Sequence, residues 1–417
     1  MSGALPFGQT PPVEPSVLTD AFAFDALSRW PYPEAPGLQA HDAADLLLLD
    51  TLQAWLDAGH AAGAAGESGA VVVLDDRHGA LTLPLLAAGR DVRAGQDALA
   101  HERSLEANLS RWGAPLPGTL HRGPLDAELV AGAHTVLLVL PRSLDALEQW
   151  TQLVAEHAAD DVVLLAAGRD KHMTPRQNAV LGRYFTSVVP GRGRSKSRVL
   201  TARGPVRGKP APFPRTAEHS LPDVGRLTLA AHGATFGGTA VDPGTRFLLE
   251  QLGGPLRQRW SAARDSGAQT DRAVDVGCGN GTIAVYLTAL ARTEGRDLTV
   301  LATDQSADAC ASTALTARLN GAADRVEVRR DDALESFPDA SEDLLVLNPP
   351  FHAGNAVDTR VALRLFEAAA RVLRTGGQLW CVWNSHLMYR PELERRVGPT
   401  QQVARDRTFT VTVSTRR

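Results

Sequence analysis

Asp275-Val276-Gly277-Cys278-Gly279-Asn280-Gly281 joins an apolar run, 272–276, to a helix-patterned stretch, 282–293. Three glycines at alternate positions let a backbone turn sharply and pass close to a ligand, because no Cβ stands in the way. An acid at the end of the preceding strand, Asp275, can accept hydrogen bonds from an amino group or a ribose. A second acid, Asp304, with Gln305 beside it, closes the next apolar run (VLATD, 300–304), where a carboxylate would take the two hydroxyls of a ribose. A third, Asp332, followed by Ala333, ends the strand after that and could accept from an adenine amino group. Together these spacings indicate a bound nucleoside.

Outward from the loop, strand-like and helix-like segments alternate: 299–304, 307–319, 326–330, 342–347, 356–372 and 378–384. Repeated βα units with apolar strands predict a parallel sheet covered by helices on both faces. The last stretch, 401–415, alternates polar with β-branched residues and predicts an edge strand or hairpin. The N-terminal half repeats the plan. Residues 70–86 slide onto 272–287 through Gly79 and Gly281, 95–109 onto 304–320, and 134–144 onto 342–351. The expected fold class is α/β, two tandem doubly wound Rossmann-like domains. Residues 209–222 (KPAPFPRTAEHSLP) hold four prolines and no apolar period, which reads as a linker between domains at 1–208 and 223–417.

At the end of the fourth strand comes Asn348-Pro349-Pro350-Phe351-His352. Prolines cannot donate in a ladder and stiffen the turn, so the Asn348 side chain and the Pro349 carbonyl can present two acceptors to one planar NH2 group. Such an amine is a poor nucleophile because its lone pair is delocalised. Acceptors on its hydrogens help it pyramidalise, and the ring of Phe351 can stack on the group that carries it. This motif, with an acid two residues before the first glycine, favours S-adenosylmethionine over a dinucleotide. In-line positioning would then supply most of the rate.

The chain has 417 residues, too long for one core of roughly 150. Hydrophobic residues at 44% and charged residues at 22% exclude disorder, collagen and coiled coil. No apolar run approaches the roughly 18 residues of a membrane span, and the N-terminus lacks a secretory pattern, so a cytoplasmic protein with no membrane association is expected. Cys278, Cys310 and Cys381 form no CxxC pair and support neither a disulfide framework nor a metal site. The formal net charge of -4 conceals a basic segment: between Arg169 and Lys209 stand 11 Lys and Arg against the single acid Asp170. Within it, Lys171, Arg192, Arg194, Lys196 and Arg198 suit phosphate contact in a loop.

These motifs resemble those of bacterial ribosomal-RNA guanine-N2 methyltransferases built from two tandem methyltransferase-like domains, the C-terminal one of the "small methyltransferase" type. The likeness is close over about 228–415 and holds only in plan for the N-terminal half. It extends to Arg374-Thr375-Gly376-Gly377, to 382–394 (VWNSHLMYRPELE), and to a motif ahead of the glycine loop, Phe236 through Asp242-Pro243-Gly244-Thr245-Arg246. The resemblance implies that Phe236, Asp242 and Thr245 close over cofactor or substrate, with Arg246 and His352 toward the substrate. It further implies S-adenosylmethionine as donor and S-adenosylhomocysteine as product, with no metal. The partner would be ribosomal RNA or a ribosomal subunit, the small subunit rather than the large, and the protein a monomer. Adenine-N6 or glutamine-N5 methylation, and a non-catalytic RNA-binding protein with a relic pocket, remain open. A separate second domain and Phe rather than Tyr at 351 weigh against the first two.

The family's N-terminal domain is a degenerate copy. Here Val73, Asp75 and Arg77 stand opposite Asp275, Gly277 and Gly279, and Leu140-Pro141-Arg142 opposite Asn348-Pro349-Pro350. Side chains fill the path a methionine moiety needs, so one active site per chain is expected, with the other domain binding RNA or supporting the first.

Overall fold

The computed structural model describes residues 14–32, 34–60, 69–113, 115–265, 272–350 and 356–417. The chain divides into two compact units, Met1–Phe213 and Pro214–Arg417.

In the first unit, β1 (Val71–Leu74), β2 (Val92–Gly95), β3 (Leu120–Arg122), β4 (Thr135–Val139), β5 (Val163–Arg169), β6 (Phe185–Pro190) and β7 (Ser197–Pro205) form one sheet in the order β3-β2-β1-β4-β5-β7-β6. The first five pair in parallel, and β7 pairs antiparallel with both β5 and β6. The second unit opens with a hairpin, β8 (Arg215–Leu221) and β9 (Gly225–Ala231). Its sheet comprises β10 (Arg272–Val276), β11 (Thr299–Asp304), β12 (Val326–Arg330), β13 (Glu342–Leu347), β14 (Leu373–Asn384), β15 (Thr400–Arg405) and β16 (Phe409–Thr415). The order β12-β11-β10-β13-β14-β16-β15 reproduces that of the first sheet strand for strand. The expected α/β tandem is therefore present, with its duplication visible in topology.

Strands buried on both faces must be apolar throughout rather than alternating. Val71 to Leu74 of β1, Val274 and Val276 of β10, and Leu344 to Leu347 of β13 accordingly lie between two layers of side chains. In β14, Trp380 joins one core with Trp260 and Tyr286, while Trp383, on the opposite face, joins Phe366 and Tyr389.

The reading of 209–222 as linker is corrected at its second half, because Arg215–Leu221 is a full strand. Most of its side chains are exposed, so no apolar period marks it; only Leu221 is buried. The hairpin is anchored through the backbone instead. Asn320 bonds both the N–H and the C=O of Thr228, at 2.9 and 2.7 Å, and Thr316 accepts from the Ala230 N–H at 2.9 Å.

Candidate active site

All three loop glycines have left-handed backbone, φ 74° at Gly277, 54° at Gly279 and 81° at Gly281, a conformation that L side chains adopt at a cost. They serve different purposes. A Cβ on Gly277 or Gly279 would meet, beyond the neighbouring residues in the loop, no atom of the described residues within 4 Å, so the space beside them is open to a ligand. A Cβ on Gly281 would lie 3.0 Å from the Thr313 backbone, so that glycine lets a helix pack. The N–H groups of Gly277 and Cys278 both bond the Thr303 carbonyl, at 2.8 and 2.9 Å, which ties the loop to the end of β11.

The loop floors a cavity of about 240 Å³ at the carboxyl ends of β10, β11 and β13. Asp242, Asp304, Asp331 and Asp332 line it, and no Lys or Arg does among the described residues. An acid-walled pocket favours a cation, and S-adenosylmethionine carries net positive charge. Gln305, Ala333 and the exposed ring of Phe236 lie on its wall. Ala333 and Leu334 also have positive φ, 55° and 58°, strain of the kind that collects at binding sites.

The acids differ in what holds them. Asp304 accepts from the N–H groups of Gly279 and Ser306 at 3.1 and 3.0 Å. Burial raises its pKa against those bonds. Asp332 is bridged by Arg364 at 2.8 Å, while Asp331 accepts from the Glu335 and Ser336 N–H groups and so shapes the turn. Asp275, read as meeting the ligand directly, is fully buried beneath the loop and off the cavity wall. Its Oδ2 accepts from Ala284 N–H at 3.0 Å, satisfying a helix N-terminus whose cap residue is a glycine without a side chain. Oδ1 has no partner among the described residues. Burial, opposed by that bond, pushes the carboxyl up to about 7.

A raised carboxyl pKa means the fold prefers the protonated form, so its contribution to stability is fully present below the unfolded value near 4 and is lost as pH rises through 7. Asp275→Asn keeps the acceptor for Ala284 and removes the charge. It should raise the melting temperature at pH 8 by several degrees and leave it nearly unchanged at pH 4, which thermal denaturation at the two pH values would show.

Asn348 leaves β13 beside the end of β10, since Leu347 pairs with Val276. Its amide is not free to turn. Nδ2 donates to Asp242 Oδ1 and to Thr245 Oγ1, both at 2.8 Å, which fixes the orientation and leaves Oδ1 buried with no partner among the described residues. Thr245 N–H also bonds Asp242 Oδ1, at 3.0 Å, so the three residues form one unit. Asp242 and Thr245 thus act here on Asn348, a role the sequence did not disclose. Thr245→Val removes one of the two acceptors. Loss of a bond worth about 1–1.5 kcal/mol predicts a roughly tenfold lower kcat with the cofactor Kd unchanged, read by steady-state kinetics and titration calorimetry.

Other expected site residues are placed as follows. Asn280 is buried, its amide donating to the carbonyls of Gly238 and Ala240 at 2.9 Å, so it fastens the segment carrying Phe236 and Asp242 to the loop. Cys278 lies against the cavity with its thiol pKa raised well above normal, so it is inert packing. Arg246 is off the cavity wall, donating to the Ser220 carbonyl at 3.3 Å. Pro349 and Pro350 line the cavity, whereas Phe351 and His352 fall outside the described residues. Arg364, Val361 and Leu365, on the helix Ala356–Val372, were not singled out by sequence, because an i,i+4 pair of apolar residues reads as ordinary core.

In the basic segment, Lys171, Arg192 and Lys196 are exposed. Arg194 is corrected: it forms an ion pair with Asp50, which is 1% exposed and also accepts from Ser16 and Thr19. A buried carboxylate needs such a partner, so Arg194 is a structural residue. Arg198 turns back onto the Gly191 carbonyl at 2.8 Å.

The orphaned oxygen of Asn348, the open space at Gly277 and Gly279 and the acidic wall together fit S-adenosylmethionine. Among the described residues, no cluster could hold a metal and no helix is long and apolar enough to cross a membrane. Residues 226–413 match the Methyltransferase small domain family and 16–205 the RLMG N-terminal domain family. The chain is 35% identical to the ribosomal RNA large subunit methyltransferase G of Streptomyces coelicolor, over 94% of this chain and 98% of the relative. It is 32% identical to that of Pseudomonas aeruginosa, over 94% and 97%. Its fold is shared with the T. thermophilus 16S rRNA N2 methyltransferase RsmC, solved with AdoMet and guanosine, at a TM-score of 0.69 and 21% identity over 93% and 97% of the two chains. With both halves matched in order and the relatives covered end to end, the chain belongs to the ribosomal RNA large subunit methyltransferase G family of S-adenosylmethionine-dependent rRNA methyltransferases.

Proposed function

We propose that the protein methylates the exocyclic N2 of a guanine in large-subunit ribosomal RNA. The observation that carries this is the locked amide of Asn348, whose Oδ1 is the one polar atom of that side chain left for a substrate. S-adenosylmethionine supplies an electrophilic methyl carbon; the chain's task is to place a planar amine and raise its nucleophilicity. Asn348 Oδ1 and the Pro349 carbonyl accept the two amine hydrogens, drawing the lone pair out of conjugation with the ring. Asp304 takes the ribose hydroxyls, Gly277 and Gly279 make room, and the acids on the wall favour the cationic donor. The sequence-based preference for the small subunit has no support among the two relatives, both of which are large-subunit enzymes by name. One active site per chain follows from the N-terminal loop, where Asp76 bonds the N–H groups of Gly79, Leu81 and Thr82 and Arg77 takes the place of a glycine.

The test is methyl transfer from labelled S-adenosylmethionine to 50S particles, 30S particles and protein-free rRNAs from cells lacking the protein, followed by nucleoside mass analysis. N2-methylguanosine in 23S RNA is expected. Transfer confined to 16S RNA would overturn the subunit assignment, and transfer to none, with cofactor still bound, would overturn the reading.

A further inference from the structure

A cavity of about 610 Å³ lies in the N-terminal unit, at the carboxyl ends of β1, β4 and β5. This is the switch point between β1 and β4, topologically equivalent to the β10/β13 point that holds Asn348. Duplication would leave a second cofactor pocket here, yet the electrostatics have reversed. Arg77 follows β1, Arg142 follows β4, Arg169 ends β5 and Lys171 sits in the turn after it; all four line the cavity. None has an ion-pair or hydrogen-bond partner for its side chain among the described residues. The acids in the same cavity are already engaged. Asp76 accepts three backbone N–H bonds, and Asp42 and Asp45 cap the helix Ala43–Trp55.

His172 lines the same cavity. Burial, then Lys171, Arg142, Arg169 and Arg77 in turn, lower the pKa of His172, so their fields converge on one place. Four cations outnumber the cavity's three carboxylates, which are themselves bonded to backbone N–H groups, so the excess charge favours an anion between the cations, and guanidinium groups match the oxygens of a phosphate. The geometry points to a phosphate site in this abandoned pocket, occupied by a backbone phosphodiester of the substrate RNA. The inference rests on ribosomal RNA being the substrate, and it is distinct from contact by the loop 191–196. In it the second copy has exchanged a cation-binding pocket for an anion-binding one and so anchors RNA rather than methylating it.

The full-length double variant Arg142→Glu/Arg169→Glu tests it against Arg90→Glu/Arg111→Glu, an equal charge change at the opposite end of the sheet, before β2 and at the end of the helix Leu99–Arg111. For the cavity variant, the KM for RNA should rise about tenfold or more and the slope of log K against log salt should fall by about 1, with kcat at saturating RNA and the Kd for S-adenosylmethionine within about twofold of wild type. The control should keep the wild-type KM. Binding of rRNA fragments is measured directly as well as through turnover, so failure of the methylation reading would not hide the result. Identical RNA binding by the two variants would overturn the site. Saturable binding of a mononucleotide or inorganic phosphate that is lost in the cavity variant, with RNA affinity unchanged, would overturn the RNA source. Should the double variant fail to fold, the exposed Lys171→Glu carries the same test.

Discussion

Asn348→Ala is expected to lower kcat by about 10²–10³-fold, the effect of removing one preorganised polar contact to charge that develops in the transition state. The Kd for S-adenosylmethionine should stay within about threefold, because the loop and acids that hold the donor lie on other strands. The size of the effect follows from how the amide is held. Two acceptors at 2.8 Å fix Nδ2, so Oδ1 does not have to be reoriented when substrate arrives. The orphaned oxygen is already desolvated, which costs stability in the free protein and is recovered only when an N–H meets it. Asn348→Asp sharpens the test. It places a carboxylate oxygen against Asp242 Oδ1, and two carboxylates in contact cannot both ionise near neutral pH. Activity should fall as far as in the alanine variant although volume and one acceptor are kept. Single-turnover methyl transfer with saturating cofactor measures the loss; a rate within about threefold of wild type in Asn348→Ala would remove the residue from catalysis.

Residues that act through their own backbone were legible in the sequence, and residues that act through distant partners were not. Three alternate glycines announce a left-handed loop because few other residues tolerate φ of 54–81°. Asn348 could be named from its two prolines. Its lock could not, since Asp242 and Thr245 lie 106 and 103 residues away. Arg194 shows the converse error: within GRGRSKSR it reads as one more phosphate ligand, and only the fold brings Asp50, 144 residues away, to claim it. Asp275 was identified at the right place with the wrong partner, because a strand-end acid can turn toward a ligand or under the following helix. The duplicated sheet was readable from buried strands that need continuous apolar runs, while exposed β8 carried no such mark.

Asp304→Ala should weaken binding of S-adenosylmethionine and of S-adenosylhomocysteine alike, by roughly 10²–10⁴-fold, if the carboxylate loses two hydrogen bonds of about 1.5–3 kcal/mol each to the ribose hydroxyls. Equal loss for both ligands is the informative part. The ribose is common to them, whereas a group that acts on the sulfonium charge would discriminate in favour of the product when removed. Alanine also abolishes the bonds from Gly279 and Ser306, so a collapsed loop could weaken binding for a different reason. Asp304→Asn separates the two causes. It retains the side-chain volume and one acceptor oxygen, which can keep a backbone bond, but it cannot accept from both hydroxyls as well. If Asp304 holds the ribose, the asparagine variant should melt close to wild type and still lose most of the affinity for both ligands. Calorimetric titration of each ligand into each variant, beside thermal denaturation, gives the comparison. Wild-type affinity in Asp304→Asn would assign the carboxylate to the loop alone, and the nucleoside would then need another acceptor, for which Asp331 and Asp332 on the same wall are the candidates.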